Sequence, residues 1–534
     1  MPARSLEFAS TAERIRARWT TPASGYRANL TYSAIDSPPG QIAATIYSAT
    51  STTNATASFV GDWRSVDAWL RQDLRLARAR SRQLERGNPW CQSFKAALLN
   101  NVVGAKGFKS RPNVVFSAAY GDSGTEGEPD TVANRKITDA RKRFARQENF
   151  TTEKTLTERE ADKMICQRLA FDGEVLIRKV RGFENAFKFA WQIIDPDFLD
   201  ENLNQTLENG NFVKMGVELD GRNKFPVAYW FLTQRPNDYI PGGYMAGQDR
   251  YVRVPANEVI HIFVREYPEQ TRGIPWPFAA VINLQMIGAY EEAALINARV
   301  GANKMGFFKK TTPTGFEGGK RDDAGRIIDF SEPGSWTELP WDVEPVEWNP
   351  NYPDTEFGPF NKAMLRSISA SLKMSYMTLS NDLSEANFSG LRAGLNEERE
   401  QWMGVQEFLI EKWKDPEFDE WIYRAMLSGE LALPIGKIDK FNQTIFTGRR
   451  WPFVNPVQDW QAKQLALDMR ATSLTAIIEE SGGDRDEIFT QIERDAKELD
   501  KRGIPPIHST FQVVDFEAET PGAGKAQETK ASQK

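Results

Sequence analysis

Phe278-Ala-Ala-Val-Ile-Asn-Leu-Gln-Met-Ile-Gly-Ala-Tyr-Glu-Glu-Ala-Ala-Leu-Ile-Asn-Ala-Arg-Val-Gly-Ala-Asn-Lys304 runs without a proline between Pro277 and Gly306. Val281, Leu284, Ile287, Leu295 and Ile296 recur at helical spacings among alanines, the pattern of one buried helix face. At 1.5 Å per residue such a helix is about 40 Å long, longer than most helices of globular domains. Glycine and proline then punctuate 306–359, with Trp336, Trp341 and Trp348 between them, so strand and loop are expected there. Helix resumes over Phe357–Tyr376, where Phe357, Phe360, Met364, Ile368 and Leu372 form one stripe. A polar break, Thr378–Phe388, precedes a longer helical stretch from Gly390 to Leu427 that is interrupted near Asp415-Pro416. Two rods flank an insertion, and a third follows a short break.

On the N-terminal side, Ser48-Ala-Thr-Ser-Thr-Thr-Asn-Ala-Thr-Ala-Ser58 is too polar and small to offset its ordering entropy, so 1–62 reads as a flexible arm. From Ser65 the pattern is helical. Arg71, Arg75, Arg78, Arg82 and Arg86 share one face and Leu70, Leu74, Ala77 and Leu84 a neighbouring one. That arginine face reads as solvated, with phosphate or an acidic neighbouring subunit as the alternative. Further helices are expected from Asn88-Pro-Trp90 to Val103, over Thr131–Gln147 and over Thr157–Phe171. Between Gly173 and Val264 five β-branched or aromatic runs predict a mixed sheet: Glu174–Arg178, Phe187–Ile194, Phe212–Glu218, Pro226–Leu232 and Val259–Val264. Trp460–Leu499 reads as two helices split at Gly482-Gly483, and 511–534 as a polar tail.

Composition narrows the chemistry. The 534 residues hold two histidines, two cysteines and fifteen tryptophans, with a formal charge of −6. His261 and His508 leave little material for histidine acid–base or zinc chemistry, and Cys91 and Cys166 cannot build a thiolate cage. Their scarcity suits a reducing compartment. No apolar run reaches the ~18 residues of a membrane span, and 1–20 lacks the apolar centre of a secretory signal. The length calls for two to four packed units. Asp172, Glu174, Asp195 and Asp197 are the one carboxylate group that could hold magnesium, which keeps a metal-dependent nucleic-acid enzyme as the rival reading. Gly315-Phe-Glu-Gly-Gly-Lys-Arg321 departs from a phosphate loop at Thr314 and Arg321. His261, inside Val259–Val264, reads as a packed histidine. No cofactor, catalytic residue or resident metal is expected.

Six landmarks stand in order along the chain: Arg82-Gln-Leu-Glu-Arg-Gly-Asn-Pro-Trp90 with Asn100-Asn-Val-Val-Gly104; Asp172-Gly-Glu-Val175 to Arg178; Ile194-Asp-Pro-Asp197; Glu269-Gln-Thr-Arg-Gly-Ile-Pro-Trp276; Leu379-Ser-Asn-Asp-Leu-Ser-Glu-Ala-Asn-Phe-Ser-Gly-Leu-Arg-Ala-Gly394; and Trp451-Pro-Phe-Val-Asn-Pro456. From Trp63 to Gly503 the chain resembles the portal proteins of lambda-type tailed phages. One departure is Lys373-Met-Ser-Tyr-Met377, where the family often has a glycine-containing turn.

The resemblance implies an α+β portal fold and a homododecamer at one capsid vertex. It implies a channel for double-stranded DNA during packaging and ejection. The partners it implies are the terminase large subunit, a head–tail connector (adaptor) protein, and the major capsid protein with its scaffold. It assigns 63–277 to a wing, 278–304 and 356–377 to stem helices, and 305–355 to a clip. A tunnel loop follows at 378–388, then the long helix and the rest of the wing at 389–455 and a helical crown at 456–510. Leu379, Ser380, Asn381, Asp382 and Leu383 would face the lumen, and Lys309, Lys310, Lys320, Arg321, Trp336 and Trp341 would form the clip's partner surface. Another virion component, of tail or baseplate, is the second alternative. Twelve helices spaced about 10 Å apart give a ring about 38 Å across its axes and a lumen near 28 Å, wide enough for a duplex. The clip segment holds five basic and ten acidic side chains, a net of −5, and 379–383 carries no cation. Such a wall predicts weak, salt-insensitive DNA contact.

Overall fold

The computed structural model describes residues 64–235, 250–302, 307–310, 320–321, 327–328, 343–346, 357–384, 388–451, 456–483 and 485–503. The arm, the tail, Trp336 and Trp341 lie outside them. Residues 1–65 and 66–534 fall into two units, and the described helices and strands belong to the second.

Helix α1 (Val66–Gly87) and α2 (Pro89–Val102) meet at Asn88, whose side-chain oxygen accepts from the Trp90 and Cys91 amides and caps α2. Helices α3 (Thr131–Phe144) and α4 (Glu158–Asp172) follow. A reciprocal Thr157/Glu160 capping box starts α4, and Gly173 ends it in the left-handed region at φ 84°. A Cβ on Gly173 would meet the Ile274 carbonyl carbon at 2.4 Å, and one on Gly273 would meet the Gly173 oxygen at 2.0 Å. Two glycines thus let two backbones touch, clamping the 269–276 segment onto the start of the sheet.

The expected mixed sheet resolves into two antiparallel ones. Strand β1 (Lys109–Pro112) stands apart from both. One sheet takes the order β3-β2-β9, with β2 Glu174–Arg181, β3 Phe189–Ile194 and β9 Val259–Phe263. The other comprises β4 (Gln205–Thr206), β5 (Phe212–Lys214), β6 (Val217–Leu219), β7 (Pro226–Leu232) and β8 (Tyr251–Pro255) in chain order. Short links such as Met215-Gly216 between β5 and β6 permit only antiparallel neighbours.

The expected long helix is α5, Val281–Ala302, entered through a 3₁₀ turn at Trp276–Ala280. Backbone strands β10 (Phe307–Lys310), β11 (Lys320–Arg321), β12 (Ile327–Ile328) and β13 (Val343–Val346) make two small ladders, β10 with β13 and β11 with β12. Then come α6 (Phe357–Ser371), the short α7 (Tyr376–Ser380) and α8 (Phe388–Leu409). A π turn, Ile410–Lys414, joins α8 to α9 (Asp415–Leu427). Pro416 has no amide to donate, so the helix is interrupted where the sequence suggests. Strand β14 (Thr444–Thr447) pairs with β1 across more than 330 residues. The C-terminal helices number three among the described residues: α10 (Pro456–Asp468), α11 (Leu474–Glu480) and α12 (Arg485–Lys501). The extra break comes at Arg470, φ 57°, before the Ser473 cap of α11.

The main core joins α2, α4, β2, β3, α6, α8 and α9, and Trp191, Trp413 and Trp421 are among its largest side chains. Trp191 packs edge-on against Trp413 at 5.1 Å and against Phe189 at 4.9 Å. The fold is α+β. Among the described residues no helix is long and apolar enough to cross a membrane.

Candidate functional site

Helices α5 and α6 pack together through Tyr290, which stacks on Phe357 at 5.5 Å and meets Phe360 edge-on at 5.3 Å. Asn361 Nδ2 donates to Glu291 Oε1 at 3.0 Å across the same contact. Val281, Leu284 and Ile287 turn inward, as the spacing predicts. Leu295 and Ile296 do not: they are 71% and 54% exposed. Ile282, Met286, Ala289, Ala293 and Ile296, spaced four, three, four and three, form an exposed apolar seam. A 4-3 repeat of this kind is what a helix presents to another helix.

The base of α5 is tied to the junction of α1 and α2. Asn88 Nδ2 donates to the Leu284 carbonyl at 3.0 Å. Beside it lies a buried ionic cluster. Glu174, fully buried at the head of β2, accepts from Arg78 Nη2 at 2.7 Å, Arg272 Nη2 at 2.6 Å and the Gly273 amide at 3.1 Å, and lies 3.0 Å from His261 Nε2. Arg82 spans Asp172 (2.6 Å), Asp195 (2.7 Å) and Asp197 (2.6 Å), and Arg78 reaches Asp197 at 2.9 Å. Arg235 adds contacts to Asp195 and Asp197 at 2.9 and 3.0 Å. Burial opposes the Glu174 charge, but Arg272, the His261 hydrogen bond and Arg78 outweigh it and hold the carboxyl well below its ordinary range. Burial also lowers the His261 imidazole pKa.

This arrangement corrects two expectations. Asp172, Glu174, Asp195 and Asp197 do converge, yet guanidinium groups stand where a divalent cation would. They neutralise the carboxylates and take their lone pairs, so the magnesium reading loses its ligands. No group of three or more His, Cys, Asp or Glu with metal-holding geometry occurs among the described residues. The arginine face of α1 is not simply solvated either: Arg78 is 2% exposed and Arg82 is drawn into the same cluster. Arg272 lies within the Glu269–Trp276 landmark, but nothing in the sequence marks it as the partner of Glu174. Its role depends on a fold that brings residues 78, 174 and 272 together.

Residues 379–383 form a structured turn. Ser375 caps α7 by accepting from the Thr378 amide, and Asn381 ends it in the left-handed region at φ 55°. Leu379 is 1% exposed and belongs to the core, with its carbonyl accepting from Ser93 Oγ at 2.7 Å. Its side chain anchors the turn instead of facing an opening, because an apolar γ-branched group gains more by burial than by lining water. Ser380 donates back to the Tyr376 carbonyl at 2.8 Å. Asp382 accepts from Ser384 and, at 3.0 Å, from the Tyr376 hydroxyl, and these bonds lower its pKa to about 2. Asn381 and Leu383 are exposed. Thr378 Oγ1 ties the turn to Glu398 of α8 at 2.8 Å. Lys373, in the stretch noted above, itself adopts the left-handed backbone at φ 55°. In the insertion, Lys309 and Lys310 occupy the end of β10, opposite Glu344 and Val343, and Lys320 and Arg321 form β11 opposite Ile328 and Ile327.

Residues 52–406 match the family described as phage portal protein, lambda family. A probable portal protein of Halomonas phage phiHAP-1 is 32% identical over 88% of this chain and 91% of its own length. Portal protein B of Escherichia phage lambda is 24% identical over 29% of this chain and 30% of its own. Among solved structures, a chain in the neck of the native GTA particle superposes with a TM-score of 0.41 at 14% identity, covering 76% of this chain and 93% of that one. A chain of the native gene transfer agent virion gives 0.40 at 15%, covering 80% and 98%. The long helix pair, the insertion between its members and the ordered landmarks agree with the match over two thirds of the sequence, and the chain belongs to the lambda family of phage portal proteins.

Proposed function

We propose that twelve copies of this chain close into a ring at one capsid vertex and guide double-stranded DNA passively through its centre. In this reading α5 and α6 are the stem, 305–355 the clip, the turn after α7 the tunnel loop, and α10–α12 part of the crown. The observation that carries it is the exposed seam Ile282, Met286, Ala289, Ala293 and Ile296 on a helix whose other face is already packed. An apolar strip of this length is costly in water and is satisfied by a neighbouring helix. The acidic balance of the insertion favours sliding over gripping, with Asn381 and Leu383 as the exposed tips of the turn.

The terminase large subunit would dock at the clip during filling, and a connector (adaptor) protein would follow it there. Lys309, Lys310, Lys320, Arg321, Trp336 and Trp341 remain the residues proposed for that surface. Major capsid protein and scaffold would hold the wing, and the role is structural rather than catalytic. Native mass spectrometry of the purified protein tests the reading. A particle of twelve times the 60.4 kDa chain mass is expected, and a stable monomer overturns it.

A further inference from the structure

Two long helices expose faces of opposite charge. On α1 the solvent side carries Arg71, Arg75, Arg80 and Arg86 and no exposed carboxylate; Asp67 and Glu85 are buried and Asp73 half-buried. These arginines edge a strip of Gln72, Leu76, Ala79 and Gln83, with Leu76 51% exposed. Arg75 approaches Glu201 at 4.0 Å and still stays largely in solvent.

On α8–α9 the exposed line is Glu400, Glu407, Glu411, Asp415 and Asp419, and Lys412, paired to Glu411, is the one exposed cation between 400 and 419. Four-residue steps overshoot an α-helical turn, and a plain helix would carry Glu407, Glu411, Asp415 and Asp419 progressively round its axis. The wider i→i+5 turn at Ile410–Lys414 counters part of that drift, and all four carboxylates stay exposed. The carboxylates feel each other. Burial first, then Asp419, Glu407 and Glu411, raise the pKa of Asp415. Gly404 has open space where a side chain would stand, leaving the stripe flat between Glu400 and Glu407.

The two faces are comparable in length, about 22 Å and about 28 Å at 1.5 Å per residue, and Arg71 and Arg75 are spaced like Glu411 and Asp415, about 6 Å apart. Helix α2 packs against both α1 and α8, so one packed body carries both faces. In a head-to-tail ring each copy offers one face forward and the other backward. We propose that the arginine face of α1 docks on the carboxylate stripe of α8–α9 in the neighbouring copy, so that opposite charges set the register of every interface. This rests on the proposed ring. A protein occupant fits better than nucleic acid because the centre of the α1 face is Leu76 and Ala79, a helix-packing strip with an arginine rim. The complement is carried by the same chain.

Charge-swapped full-length chains test it. One carries Arg71→Glu and Arg75→Glu, the other Glu411→Arg and Asp415→Arg; all four positions are exposed, and circular dichroism melts check that each chain folds. Alone, each variant is expected to lose ring fraction by at least about tenfold in sedimentation velocity, because like charges then face each other at every interface. Mixed in equal amounts, they are expected to recover rings of alternating subunits. Rings from either folded variant alone at the wild-type level would overturn the proposal, as would a mixture that stays unassembled while wild type rings. An Arg71→Glu, Arg75→Glu chain that assembles normally but loses binding to a short duplex would assign the face to phosphate instead. Wild-type protein that forms no ring would sink the ring reading itself, a separate result.

Discussion

Removing one member of the buried Glu174–Arg272 pair is expected to destabilise the protein severely, and removing both considerably less than the sum. Glu174 and Arg272 are each wholly buried. Arg272 also donates to the carbonyls of Leu199 (3.0 Å), Met215 (2.9 Å) and Pro196 (3.3 Å). Glu174→Gln leaves two inward-pointing guanidinium groups short of their shared anion, a loss of about 3–5 kcal/mol for a broken buried pair. Arg272→Met leaves the anion with Arg78, His261 and the Gly273 amide but orphans three carbonyls, and a loss of about 3 kcal/mol or more is expected. The double variant should fall short of additivity by about 2 kcal/mol or more, since each change removes what the other needs. The sign with pH is fixed by the depressed Glu174 pKa. Its stabilisation is fully present above the ordinary carboxyl range and is lost only as pH falls through the lowered value. Urea unfolding followed by tryptophan fluorescence at neutral pH and fixed protein concentration measures all three variants. Losses under about 1 kcal/mol, or strict additivity, would refute the mutual dependence of Glu174 and Arg272.

Lys373→Gly should raise stability by about 1 kcal/mol, read as a higher midpoint in thermal melts, because it relieves a left-handed backbone at a side-chain-bearing residue. In a second buried cluster, Asp162 sits with Glu158, Glu417, Lys414, Arg141 and the Trp413 indole, and burial pushes its pKa up to about 6. A raised carboxyl pKa gives stability that is full at low pH and lost as pH climbs from about 4 to about 6, so Asp162→Asn should flatten that slope in pH-dependent urea unfolding. Met286→Lys places a charge in the exposed seam of α5 and should abolish rings in sedimentation while leaving the circular dichroism spectrum unchanged, as Met286 is 65% exposed.

Much of the architecture was legible because periodic patterns are local. The α5 pattern predicted its helix to within a few residues at each end, and the helices expected from Thr157 and from Asn88-Pro89 start there. The strands β1, β4, β8 and β14 were not legible. Lys109-Ser-Arg-Pro112 has no alternation and owes its existence to a partner more than 330 residues away. The carboxylates at 172, 174, 195 and 197 do come together, but the sequence alone does not reveal what neutralises them, because the arginines that do so come from α1 and from residue 272. Leu379 was grouped by position with an exposed turn, yet one helical step separates a core anchor from Leu383 in solvent. Burial of a single turn residue depends on what packs beneath it, here α2 and α6.

Cryo-electron microscopy of the purified full-length protein tests the central claim most directly. Closed twelvefold rings are expected, in which α5 and α6 of successive copies stand side by side around an open channel about 28 Å wide, with Ile282, Met286 and Ile296 covered by a neighbour. Monomers, or assemblies in which the α5 seam is buried with no channel beside it, would contradict it.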